Sequence, residues 1–156
     1  GPLGPINVDI QQPFEALVAK GAGTMEEMAG QLPGLFGMIF AEVEKQQLKP
    51  AGPVFINYLD YNEESGFSNY LAGVMVDSKG KDAGEVGAAS YGELKVVQGL
   101  HTGPYELFED SYIKLGAYVE EHALEVTGQA FEFYKVGMQD EDDPAKWQTL
   151  ITFPLK

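Results

Sequence analysis

Apolar residues recur along this chain with two different periods. Met28, Leu32, Leu35, Phe36, Ile39 and Val43 return at spacings of three and four, and so do Tyr105, Phe108, Tyr112, Leu115 and Val119. That spacing collects side chains on one stripe of a helix, so two amphipathic helices are expected. Thr24 and Glu27 form a capping-box pattern at the start of the first. Pro33, with Gly30, Gly34 and Gly37 around it, is expected to kink or delay that helix, because proline lacks a backbone donor and crowds the preceding turn.

Elsewhere the period is two or the run is short and apolar. Ile6, Val8 and Ile10 alternate as an extended segment does, and Glu93 to Leu100 supplies a second such segment. Val54 to Leu59 and Gln129 to Val136 are aromatic and β-branched and read as strands. Each is followed by a polar loop and a further strand, near Tyr70 to Val76 and Trp147 to Leu155. The acidic run Asp140-Glu141-Asp142-Asp143 before Pro144 reads as a solvated turn.

The two halves also resemble each other. A shift of 76 residues lays Gly52-Pro53-Val54-Phe55-Ile56-Asn57-Tyr58 on Gly128-Gln129-Ala130-Phe131-Glu132-Phe133-Tyr134, with Val43 on Val119 and Leu48 on Leu124. One module used twice is the expectation. The fold class is therefore α+β, with two β-α-β-β repeats over residues 5–80 and 81–156, antiparallel sheets and one helix packed per repeat. Residues 1–4, Gly-Pro-Leu-Gly, resemble the remnant of a cleaved expression tag and are left out of this reading.

Composition narrows the function classes. With 44% hydrophobic and 22% charged residues, the 156-residue chain can bury a core and is neither disordered nor built to span a membrane. A cytoplasmic location is expected. Cysteine is absent, which removes disulfides and thiolate chemistry, and two histidines are too few for an ordinary metal site. No metal and no cofactor are called for. The ten basic residues are all lysine against 24 acids, a net charge of −14. Direct nucleic-acid binding needs a basic face, so none is expected.

No nucleophile elbow, phosphate-binding loop, dinucleotide fingerprint or zinc-protease helix occurs, and catalysis has no positive support. Carboxylate acid-base chemistry stays open, because sequence does not show which acids converge. Binding is better supported. Eight tyrosines, nine phenylalanines and one tryptophan would wall a groove for a flat, lipophilic ligand, or else fill two small cores.

Three stretches carry a family resemblance. Leu100-His101-Thr102-Gly103-Pro104-Tyr105, the segment Leu124 to Tyr134, and Asp143 to Leu155 together resemble the GyrI-like small-molecule-binding family, which includes effector-binding domains of bacterial multidrug-sensing transcription activators. The resemblance covers residues 5 to 156 and is weaker in the first half. It implies two modules about a pseudo-twofold axis, with a ligand cleft between them. It also implies a glutamate in the last strand that meets a cationic ligand or, in hydrolytic members, takes part in chemistry. Here Leu150 stands at that position, and Leu71 stands at the matching place of the other half. An apolar cleft floor is expected in consequence, from a divergent member with an apolar ligand or from a pocket altered by engineering.

The residues expected to touch a ligand are Phe40, Tyr58, Leu71, Gly73, Tyr105, Phe108, Tyr112, Tyr134, Trp147 and Leu150. Tyr58 and Tyr134 end equivalent strands and could donate hydrogen bonds; Trp147 could stack on a guest. His101 is expected to be a structural, hydrogen-bonding histidine. The function expected is a free-standing module that binds a hydrophobic or aromatic small molecule. A hydrolase of strained, cyclopropane-bearing natural products is the alternative, and an acidic topoisomerase-binding protein has the least support.

Overall fold

The capping box at the first helix is formed. In the computed structural model, which describes every residue from Gly1 to Lys156, the Glu27 N–H donates to Thr24 Oγ1 at 3.4 Å and the Thr24 N–H donates to Glu27 Oε1 at 3.0 Å. Helix α1 (Met25–Lys45) begins there and runs unbroken through Pro33. The expected kink costs little at this point. Proline removes one donor, and the carbonyl it would have served belongs to Ala29, an exposed residue whose oxygen can turn to water.

The remaining elements are β1 (Asn7–Gln11), β2 (Phe14–Gly23), β3 (Pro50–Tyr58), β4 (Ser68–Val76), β5 (Val86–Tyr91), β6 (Leu94–Thr102), helix α2 (Phe108–Glu121), β7 (Ala130–Val136) and β8 (Gln148–Pro154). They fall into two compact units, Gln12–Glu93 and Gly1–Gln11 with Leu94–Lys156. Within the first the strands lie in the order β3-β4-β2-β5, and within the second in the order β7-β8-β6-β1. The strand pairs inside each unit are antiparallel. The architecture is α+β, with one long helix to each four-stranded array.

The alternating segment at Ile6 to Ile10 does not lead into α1 as a partner of β3 and β4. It forms β1, which pairs with β6 from Asn7 opposite Gln98 to Gln11 opposite Leu94. The strand that leads into α1 is β2, and β5 flanks it. Both escape a periodicity reading because they are rich in alanine and glycine, which have low strand propensity. Overlying rings require the small residues. A Cβ on Gly21 would come within 2.2 Å of Tyr70 Cζ, and Tyr70 is completely buried.

In the Gln12–Glu93 unit, Leu17, Ala19, Ala72, Val74, Val76 and Val86 pack against Ile39 and Val43 of α1. On the other face, Phe14 stacks on Tyr91 with centroids 4.7 Å apart, and Phe55 meets both rings edge-on. In the second unit, Phe108 and Leu115 of α2 pack on Ile151 of β8, with Ile6, Tyr105, Tyr112, Tyr134 and Phe153 around them. No helix is long and apolar enough to cross a membrane.

Two outcomes follow from this packing. Gly21→Ala drives a methyl into the Tyr70 ring and should lower stability by about 1–3 kcal/mol. Gly34→Ala, on the open side of α1 with nothing within 4 Å, should raise it by roughly 0.5–1 kcal/mol; urea unfolding of the two variants reads the opposite signs. Burial pushes the Tyr91 phenol up from 10.0 to about 12. The unfolded chain therefore releases this proton first, and the stability it carries is intact below pH 10 and lost as pH rises toward about 12. Tyr91→Phe removes that loss, so the variant should gain on the parent across this window and hold a constant difference below it.

Candidate functional site

The sequence of β7 alternates Ala130, Glu132 and Tyr134 on one face with Phe131 and Phe133 on the other. Glu132 stands directly opposite Ile151 of β8, and Ile151 packs under α2. The carboxylate is thereby placed beneath the helix, where Glu132 is only 2% exposed. Taking a carboxylate out of water costs several kcal/mol unless other groups replace its hydration. Two phenols do so: the Tyr112 hydroxyl donates to Glu132 Oε2 at 2.5 Å, and the Tyr134 hydroxyl donates to Oε1 at 2.5 Å. Short donors to an ionised acceptor are the strong kind of hydrogen bond.

From this carboxylate an aromatic wall runs outward. Tyr105 lies in the short 3-10 turn Tyr105–Leu107 that precedes α2. Its ring is 5.9 Å from Tyr134, 5.3 Å from Phe108 and 4.9 Å from Trp147, centroid to centroid. Trp147 is held in turn by its indole N–H, which donates to the Glu141 carbonyl at 2.8 Å. The Tyr105 phenol is pushed above the ordinary tyrosine value, first by burial, then by the negative charges of Glu132 and Asp140. The Tyr105 phenol thus stands beside negative charge.

His101 anchors the turn that carries Tyr105. It is completely buried, with Nε2 3.1 Å from the Pro104 carbonyl and Nδ1 2.6 Å from Ser111 Oγ. A carbonyl can only accept, so Nε2 carries the proton and Nδ1 accepts from the serine hydroxyl. The ring also meets Phe108 edge-on at 4.6 Å. Gly103, at φ +134°, makes the bend between β6 and this turn. His101 therefore has the structural role expected of it.

The expected ligand residues divide between the units. Tyr112 and Tyr134 meet Glu132, and Tyr105 connects Tyr134 to Phe108 and Trp147. Leu150, half-buried on β8, stands opposite Phe133 and so on the other face of its strand. In the Gln12–Glu93 unit, Leu71 stands opposite Asn57, Gly73 lies under the Phe55 ring, Tyr58 is buried at the end of β3, and Phe40 is 42% exposed on α1. Asn57 and Phe133 are one 76-residue shift apart, so Leu71 and Leu150 hold matching register positions.

A buried acid that the sequence reading did not name stands near the expected apolar floor. The buried carboxylate is on the strand beside Leu150, one register position and one face away. The sequence held a signal for it, since the 76-residue shift lays Glu132 on Ile56, and Ile56 is 1% exposed. No group of three or more potential metal-ligating side chains stands together.

Such an arrangement can hold a flat or multi-ring molecule against phenol and indole faces and oppose a positive charge with Glu132. Known structures share the fold. The EcmrR C-terminal domain superposes with a TM-score of 0.86 at 22% identity, each chain covered over 97% of its length. EcmrR in its DNA complex gives 0.85 at 22% identity; 97% of this chain is covered, and it spans 57% of that longer chain. SAV2435 bound to tetraphenylphosphonium gives 0.63 at 13% identity, covering 98% of this chain and 94% of that one. A hydrolase from Listeria innocua gives 0.65 at 13% identity, covering 100% and 94%. No curated protein matches the chain in sequence. A family model matches residues 6–156, and the chain belongs to the GyrI-like small molecule binding domain family.

Proposed function

We propose that the domain binds a lipophilic aromatic cation at Glu132, held between the rings of Tyr105, Tyr112, Tyr134 and Trp147. One observation carries this reading: a carboxylate 2% exposed whose oxygens are met by two tyrosine hydroxyls. A buried negative charge of this kind, in walls that are otherwise aromatic, favours a guest with delocalised positive charge and little hydration to lose. That SAV2435 is seen with tetraphenylphosphonium supports the choice of ligand class. The expected hydrophobic, aromatic character of the ligand is kept, and a positive charge is added to it.

Tetraphenylphosphonium is the probe, and Trp147, the single tryptophan, is the reporter. Binding should change Trp147 fluorescence, and Glu132→Gln, which keeps the side chain's shape and acceptor oxygen, should weaken binding at least about tenfold. Triphenylphosphine oxide, uncharged, should bind far more weakly than the cation. Equal affinity for the two probes, or an unchanged Kd in Glu132→Gln, overturns the reading.

A second reading rests on the same carboxylate. Glu132 with its phenols could serve as an acid-base pair in a hydrolase acting on a strained electrophile, and the Listeria innocua relative's description as a hydrolase lends it support. Turnover of a cyclopropane electrophile that vanishes in Glu132→Gln would favour it; binding of cations without turnover favours the first reading.

A further inference from the structure

The outer edge of β2 is only partly covered. β5 pairs with it from Tyr91 opposite Phe14 to Val86 opposite Ala19, whereas β2 runs on to Gly23. At Val86 the β5 chain turns back, and both backbone groups of Val86 bond to Ala83. No strand or isolated bridge pairs with Lys20, Gly21 or Ala22 on that side. An open groove of about 610 Å³ lies between this edge and Gly34, Leu35 and Met38 of α1. Gln31, also in its lining, is fixed by donating to the Ala22 carbonyl at 2.9 Å and accepting from the Tyr70 hydroxyl.

The other unit has the same place, and there it is filled. Leu71 and Leu150, which hold matching register positions, stand opposite Lys20 and Leu100. Lys20 therefore matches Leu100, Gly21 matches His101 and Ala22 matches Thr102. Gly23 and Gly103 come next, and both have positive φ. β1 covers β6 up to Asn7 opposite Gln98, but the chain ahead of β1 continues along the edge. The Gly4 N–H donates to the Leu100 carbonyl at 2.8 Å, and the Thr102 N–H donates to the Pro2 carbonyl at 2.9 Å. Between these bonds Leu3 bridges to His101 and packs against the cluster of Phe108, Leu115 and Ile151. A segment that resembles a tag remnant is thus seated by one leucine and two backbone hydrogen bonds, so the seat demands little beyond extended backbone and an apolar side chain.

We infer that the groove beside β2 binds an extended peptide by strand addition, with a leucine held between small residues. The leucine lies over Leu35 and Met38, the N–H of the next residue donates to the Lys20 carbonyl, and the Ala22 N–H donates to the carbonyl before the leucine. An uncovered strand edge offers such backbone groups ready-made, and the apolar side of α1 supplies the burial that backbone pairing alone lacks. The groove lies within the Gln12–Glu93 unit and is independent of the Glu132 reading.

The probe is a capped hexapeptide, Gly-Pro-Leu-Gly-Pro-Ile, the sequence of residues 1–6. It is titrated into the isotopically labelled domain and followed by NMR. The Ala22 amide proton should move downfield as it gains an acceptor, and the Met38 methyl should move with it, both along one saturable curve. Replacing the peptide's second glycine by sarcosine, which has no N–H, should weaken binding about fivefold, and replacing its leucine by aspartate at least about tenfold. Gly34→Phe fills the groove and should abolish the shifts. Gly116→Phe, on α2 with equally open space around it, should leave them unchanged. Absent shifts, or equal binding of the parent and sarcosine peptides, overturn the inference. Shifts confined to His101 and Thr102 overturn it too, since the peptide would then only displace residues 1–4 from β6. Self-association that Leu3→Asp abolishes would make a second copy's residues 1–4 the occupant and overturn the assignment to a separate peptide.

Discussion

A carboxylate without water must be answered by donors, and that requirement organises the second unit around Glu132. Tyr134 is placed by the strand itself, two residues on and on the same face. Tyr112 is placed by α2, so the helix has to sit at one height and one rotation for its hydroxyl to reach Oε2. That rotation also turns Phe108 and Leu115 onto Ile151. The hydrophobic packing and the polar triad thus specify the same helix position, and neither could change without the other.

The histidine behind the site serves the same end. By accepting from Ser111 and donating to the Pro104 carbonyl, His101 ties the end of β6 to the start of α2. Tyr105 sits in the turn between them. Three hydrogen-bonded side chains far apart in sequence, His101, Tyr112 and Tyr134, therefore fix the rings that line the site. The matching place in the Gln12–Glu93 unit has Ile56 where Glu132 stands and Phe36 where Tyr112 stands. Its core is apolar, and Tyr70 takes its hydrogen bond elsewhere, to Gln31.

Both helices were legible from their apolar stripes, and the capping box located the start of α1 to the residue. β3, β4, β7 and β8 were legible because they carry aromatic and β-branched side chains. β2 and β5 were not, since strand propensity is a statement about side chains and these strands are made of residues whose virtue is having almost none. The site was half legible. Tyr105, Phe108 and Tyr112 were named from helical spacing and Tyr134 and Trp147 from their places in strands, whereas the acid was looked for at Leu150, where the family resemblance pointed, and Glu132, on the neighbouring strand, was not named. Position in a strand decides which acid is inside, and resemblance at a neighbouring strand does not.

The pairing of β1 with β6 has a consequence for synthesis. Residues 7–11 find their partners only at residues 94–98, so this ribbon edge leaves the ribosome with nothing to hold it while the intervening unit, Gln12–Glu93, can complete itself from contiguous chain. Closing so long a loop delays the contact without greatly weakening it. The unit bearing Glu132 is in this sense the last to be completed, sealed only when residues 7–11 meet residues 94–98.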